Sequence, residues 1–164
     1  MQIVKKLSLF VAVLAIFALL DFLYQQRVKA PDVTFTTIYG KTIKMDDLRE
    51  KVVLVNFWAS DCYSCVREMP DLVKTYNQFK PKGLEVIAVA MYYDPPAQVL
   101  NYAKQKALPF AVMHDGFDEI EKKFHGVSAT PTTFVFDKTG KRLMRKVGEI
   151  DFVKLNQLLE NELS

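Results

Sequence analysis

The chain has 164 residues, half of them hydrophobic, with a formal net charge of +3 and two cysteines. That length supports one domain plus a tail, and the apolar content supports a core that needs no disulfide staple. The charge is confined to the start: Lys5, Lys6, Arg27 and Lys29 stand against Asp21 alone, whereas residues 31–164 carry 18 basic and 18 acidic side chains. A neutral domain without a basic stripe excludes nucleic acid as the partner class.

The first thirty residues differ in kind. Leu7 to Leu20 is apolar apart from Ser8, and Phe22, Leu23 and Tyr24 continue the stretch past Asp21. Eighteen residues at about 1.5 Å each reach roughly 27 Å, just enough for a bilayer core. Residues 1–30 are expected to be a membrane anchor, a single transmembrane helix with a short linker. A signal peptide cleaved after Val28-Lys29-Ala30 is the alternative. Either reading puts residues 31–164 outside the cytoplasm, membrane-tethered in the first case and soluble in the periplasm in the second.

Val33 to Ile38 and Thr42 to Met45 flank a glycine turn at Tyr39-Gly40-Lys41 and read as a hairpin. Val52 to Trp58 is apolar nearly throughout, as a central strand covered on both faces would be. Apolar residues then recur at helical spacing through Val66, Met69, Leu72, Val73, Tyr76 and Phe79 until Pro81-Lys82-Gly83. Leu84 to Met91 reads as a second buried strand. Asp94-Pro95 can open a helix reaching about Lys106, and Asp115 one reaching Phe124 or His125, where Gly126 stops it. Phe110 to Met113 is a short strand between them. Thr132 to Phe136 and Leu143 to Val147 form a second hairpin, and a last helix from Asp151 buries Phe152, Leu155, Leu158 and Leu159. This order describes an α/β domain over residues 31–164, with a mixed central sheet flanked by helices.

Cys62 and Cys65 stand where the strand pattern of Val52 to Trp58 gives way to the helical one. Free amide N–H groups and the macrodipole at a helix N-terminus favour an anion, so the first thiol ionises below the roughly 8.5 of a free cysteine. A thiolate with a second thiol in reach is equipped for thiol–disulfide exchange. A purely structural bridge is the weaker reading, because so short a loop constrains the unfolded chain little.

Phe57-Trp58-Ala59 entering Cys62-Tyr63-Ser64-Cys65, Glu68-Met69-Pro70 after it, and Ala129-Thr130-Pro131-Thr132 before a strand resemble the exported, membrane-anchored thioredoxin-like disulfide reductases of the TlpA/ResA/CcmG type. The resemblance covers about residues 31–163 and implies a thioredoxin-like fold. It further implies that Cys62 is the attacking thiol and Cys65 the resolving thiol. Pro131 would be a cis-proline facing them, with the Thr130 backbone placed to pair with a substrate strand. Trp58 and Asn56 would support the site, Asn56 standing where cytoplasmic thioredoxins carry a buried aspartate. An amide cannot take the proton from Cys65. Asp94 is the nearest carboxylate by sequence, and it has two readings, proton acceptor or helix cap. The substrates would be disulfides in exported proteins, apocytochrome c before haem attachment among them, and a membrane electron donor would return the dithiol to its reduced form. No cofactor or metal is expected.

Asp61 departs from the resemblance, since the position before the first cysteine is usually tryptophan or another neutral residue. A carboxylate about 6 Å from the thiolate costs it roughly 0.7 to 1.4 kcal/mol at effective dielectrics of about 80 to 40, which opposes the helix dipole. Two other chemistries fit the cysteines less well. Copper or zinc transfer would need His114 or His125 to join the two thiols. A peroxiredoxin-like peroxidase would need a hydroxyl three residues before Cys62, where Ala59 stands.

Overall fold

The structure, a computed structural model, describes residues 10–20 and 29–164. Residues 10–20 are helical and exposed; residues 7–9 and 21–24 of the expected membrane span lie outside the described residues. Among the described residues, no helix is long and apolar enough to cross a membrane.

Strands β1 (Thr34–Thr36) and β2 (Thr42–Lys44) pair antiparallel, turning through Gly40 at a φ of +82°, where a glycine is unstrained. The remaining elements follow in order: β3 (Val52–Trp58), α1 (Tyr63–Phe79), β4 (Leu84–Ala90), α2 (Pro96–Gln105), β5 (Ala111–His114), α3 (Glu119–Lys123), β6 (Thr132–Phe136), β7 (Arg142–Val147) and α4 (Phe152–Leu163). The five-stranded sheet runs β5-β4-β3-β6-β7, with β3, β4 and β5 mutually parallel and β6 antiparallel to both of its neighbours, β3 and β7. This is the expected mixed sheet with its N-terminal hairpin.

Every residue of β3 is buried, because it is the central strand with a packed layer on each face. Alternation along it divides the core. Val52, Leu54 and Trp58 face α1, α4 and the Cys65 side, while Val53, Val55 and Phe57 face a second layer built around Phe35, Phe124, Phe134 and Phe136. Asn56 shares the parity of Leu54 and Trp58, which sends its amide beneath α1. In that helix Cys65, Glu68, Met69, Leu72 and Tyr76 form the buried stripe.

Two helix starts differ from expectation. Helix α2 begins at Pro96 with Pro95 as its N-cap and no capping side chain, so Asp94 is not a helix cap. Its carboxylate goes to Ser60 instead. Helix α3 spans only Glu119–Lys123 because residues 115–118 form a loop that Asp115 reaches across. The Asp115 carboxylate accepts the N–H groups of Glu119, Ile120 and Glu121, so it serves the helix from four residues upstream. The last helix starts as expected, with the Asp151 carboxylate accepting the Lys154 N–H at 3.2 Å.

Candidate active site

Strand β3 delivers the chain to the top of the sheet, and the loop Ala59–Asp61 turns it into α1 with Cys62 at the N-cap. The Cys62 sulfur accepts the Cys65 N–H at 3.3 Å and lies 3.4 Å from the Ser64 hydroxyl oxygen. Both donors would stabilise a thiolate at Cys62 in the reduced protein. Cys62 and Cys65 are joined by a disulfide, with Cα atoms 5.2 Å apart. Cys65 is fully buried whereas Cys62 is half-buried, so solvent and substrate reach Cys62 first.

Across from the cysteines, the Thr130–Pro131 peptide bond is cis and the Thr130 carbonyl oxygen is 3.7 Å from the Cys62 sulfur. The Pro131 carbonyl is occupied by the Gly148 N–H at 2.8 Å. The sequence places Thr130-Pro131 and Cys62-x-x-Cys65 far apart; the pairing of β6 with β3, Thr132 beside Phe57, brings them together.

Beneath the cysteines lies a polar pair that the apolar pattern of α1 conceals. The buried Asn56 amide donates to Glu68 Oε1 and to the Thr133 hydroxyl, both at 3.0 Å, and Glu68 Oε2 accepts the Ile150 N–H at 3.1 Å. Burial pushes the Glu68 carboxyl above the usual carboxylate range, against the opposing pull of the Ile150 N–H and the Asn56 amide. Glu68 follows Cys65 by three positions, one helical turn along the same buried stripe. An acidic residue at that spacing inside an apolar stripe is the signal that identifies it. Trp58 is fully buried, its ring 5.1 Å from that of Tyr102.

The loop before Cys62 is held from the side by Asp94. This buried carboxylate accepts the Ser60 N–H and the Ser60 hydroxyl, each at 2.6 Å, and the Asp94 carbonyl meets His114 Nε2 at 2.7 Å. The same turn carries Tyr93, whose hydroxyl lies 3.3 Å from that of Thr130. Asp61, by contrast, is exposed. Asp94→Ala leaves both Ser60 donors without their charged partner. It is expected to lower the unfolding free energy by about 2–4 kcal/mol in a denaturant titration, a buried charge-assisted bond being worth more than a neutral one.

A disulfide at the N-terminus of a helix, a half-buried first cysteine, a fully buried second one and a facing cis-proline on a mixed sheet define a thioredoxin-like thiol–disulfide oxidoreductase. The family description AhpC/TSA matches residues 27–141. The thiol-disulfide oxidoreductase ResA of Bacillus thuringiensis subsp. konkukian is 36% identical over 132 residues, which cover 80% of this chain and 75% of that protein. A thioredoxin-like protein of Neisseria meningitidis superposes with a TM-score of 0.76 at 41% identity, covering 81% of this chain and 88% of that one. The thiol:disulfide interchange protein of Chlorobium tepidum gives 0.76 at 26% identity, over 84% and 97%. The chain belongs to the AhpC/TSA family and, within it, stands with the ResA thiol–disulfide oxidoreductases.

Proposed function

We propose that the protein reduces disulfides of exported proteins, with Cys62 as the attacking thiolate and Cys65 as the resolving thiol. Cys62 attacks one sulfur of the substrate disulfide, a mixed disulfide forms and the other substrate sulfur leaves as a thiol. Cys65 then attacks Cys62, the Cys62–Cys65 bond forms, and two electrons have passed to the substrate. The position of Cys62 at a helix N-terminus, more accessible than the fully buried Cys65 and opposite the Thr130 carbonyl, carries this reading. An extended substrate segment beside Thr130-Pro131 would lie within reach of Cys62, with Tyr63, Tyr92 and Tyr93 exposed around it. Glu68 is the proton acceptor for Cys65: it is a buried carboxyl one turn away, held where it gains a proton readily. Asp94, the other buried carboxylate near the site, is turned to Ser60 in the loop before Cys62, whereas Glu68 lies on the same buried helix stripe as Cys65.

Residues 1–30 anchor the domain of residues 31–164 to the outer face of the membrane, where a membrane donor restores the dithiol. Apocytochrome c awaiting haem is among the substrates this chemistry suits. The apolar stretch from Leu7 to Leu20 supports the anchor. Carbonate washing of membranes checks it: the full chain is expected to stay in the pellet, and a soluble species beginning near Pro31 would establish the cleaved form instead. The peroxidase alternative meets Ala59 three residues before Cys62, and the nearby Ser60 hydroxyl is taken by Asp94.

The exposed carboxylate of Asp61 destabilises the neighbouring thiolate and so favours the disulfide form, making the couple more reducing. Asp61→Asn is expected to move the reduction potential upward by about 15–30 mV, from the charge term at about 6 Å. Equilibration against glutathione reads this directly, and an unchanged or more negative value would defeat it.

A further inference from the structure

On the sheet face opposite the cysteines, the fold collects basic side chains that the balanced count of residues 31–164 hides. His125, Arg142 and Arg145 line a depression of about 320 Å³, and Lys29 and Lys123 stand beside it around a crevice of about 10 Å³ that shares Phe124, His125 and Arg142. No carboxylate lines either one. Among the described residues, Lys29, Lys123, Arg142 and Arg145 take part in no ion pair.

The arrangement is built into the sheet. Residues three apart on a regular strand point to opposite faces. The register shift at Val135/Phe136 lets Arg142 pair with Phe136 and Arg145 with Phe134, so both arginines lie on the phenylalanine face. Arg145 is held there with its guanidinium 5.6 Å over the Phe134 ring and one N–H given to the Gly126 carbonyl.

The position of this pocket says what meets it. Strand β6 starts at Thr132, beside Pro131, and ends at Phe136; Arg145 is paired with Phe134 and Arg142 with Phe136, so the two arginines stand roughly 7 and 13 Å along the strand from the redox end. Lys29 bridges to Lys141 and the Ala30 N–H donates to the Gly140 carbonyl at 2.7 Å, so the chain enters the domain at the pocket's rim. Immediately upstream lie residues 21–28 and then the apolar helix of residues 10–20.

We infer that this basic pocket docks the domain on a bilayer by binding the phosphate of anionic phospholipid headgroups, holding Cys62 at the end turned away from the membrane. The inference rests on the anchor reading above for the proximity of the bilayer. Phosphate suits two guanidinium groups and neighbouring ammonium groups, and the attraction weakens with salt.

The test uses the full chain in nanodiscs of phosphatidylcholine, with and without phosphatidylglycerol, followed by phenylglyoxal labelling and mass spectrometry. Arg142 and Arg145 are expected to react about fivefold more slowly in the phosphatidylglycerol discs, with the difference lost at high salt. Arg67, at the redox end and paired with Glu149, is expected to react equally in both. Equal rates at Arg142 and Arg145, with the chain retained in both discs, would overturn the docking and leave the anchor standing. The same protection by inorganic phosphate in phosphatidylcholine discs would overturn the assignment to lipid. A chain recovered from neither disc defeats the anchor; binding to phosphatidylglycerol vesicles then decides the pocket. That binding is expected to fall about tenfold in R142Q/R145Q and in K29Q/K123Q, the latter leaving β7 intact; no binding by the parent chain would overturn the inference.

Discussion

Cys65→Ala is expected to stall the enzyme as a stable mixed disulfide through Cys62, while Cys62→Ser forms none. Helix α1 presents Cys62 at its N-cap and keeps Cys65 fully buried behind it, so only the first sulfur meets an incoming disulfide. Release of that intermediate falls to the second sulfur, already one turn away. Removing it replaces an intramolecular attack with one by external thiols, and turnover should fall on the order of 10³-fold or more. Trapped partners can be identified by mass spectrometry after non-reducing separation. Recovery of no partner while Cys62 remains alkylatable would remove the redox assignment, and recovery through Cys65 in the Cys62→Ser protein would reverse the two roles.

Glu68→Gln is expected to slow that same resolution by about 100-fold or more while sparing the initial attack, as loss of a general base does. The mixed disulfide would then accumulate transiently in the presence of Cys65, and the pH dependence of resolution would flatten. Stability gives an independent reading. Burial raises the Glu68 pKa in the folded protein above its unfolded value, so the folded state holds the proton over a window in which the unfolded state has lost it. Stability therefore falls as pH rises from about 4.3, the unfolded value of a glutamate, up to the raised folded value, and is flat below both. Glu68→Gln removes this slope in thermal unfolding across the acid range. A variant that keeps the parent slope would show that another carboxyl is responsible, and unchanged resolution kinetics would end the proton-acceptor role.

Most of the architecture was legible because burial and periodicity agree along this chain. Val52 to Trp58 reads as a central strand and is one, buried at every position, and the stripe from Met69 to Phe79 falls on the inner side of α1. The cysteine pair was legible for the same reason, standing where one period gives way to the other. What stayed hidden depends on side chains that act at a distance. Asp94 before Pro95 has the local form of a helix cap, yet its carboxylate is drawn to Ser60, 34 positions away, by two donors that no local pattern contains. Glu68 was visible as part of a motif but not as a partner of Asn56, because that contact joins the underside of α1 to β3. The basic pocket was invisible to a charge count, since Lys29, Lys123 and Arg142 converge only when the sheet forms.

The turn from Tyr92 to Asp94 touches both banks of the reactive cleft, the Ser60 side through Asp94 and the Thr130 side through Tyr93. It therefore works as a spacer of fixed length, and the width of the opening above Cys62 follows from three consecutive residues. Lengthening or shortening that spacer by one residue is expected to change the width of the gap above Cys62 while leaving the sulfur chemistry untouched.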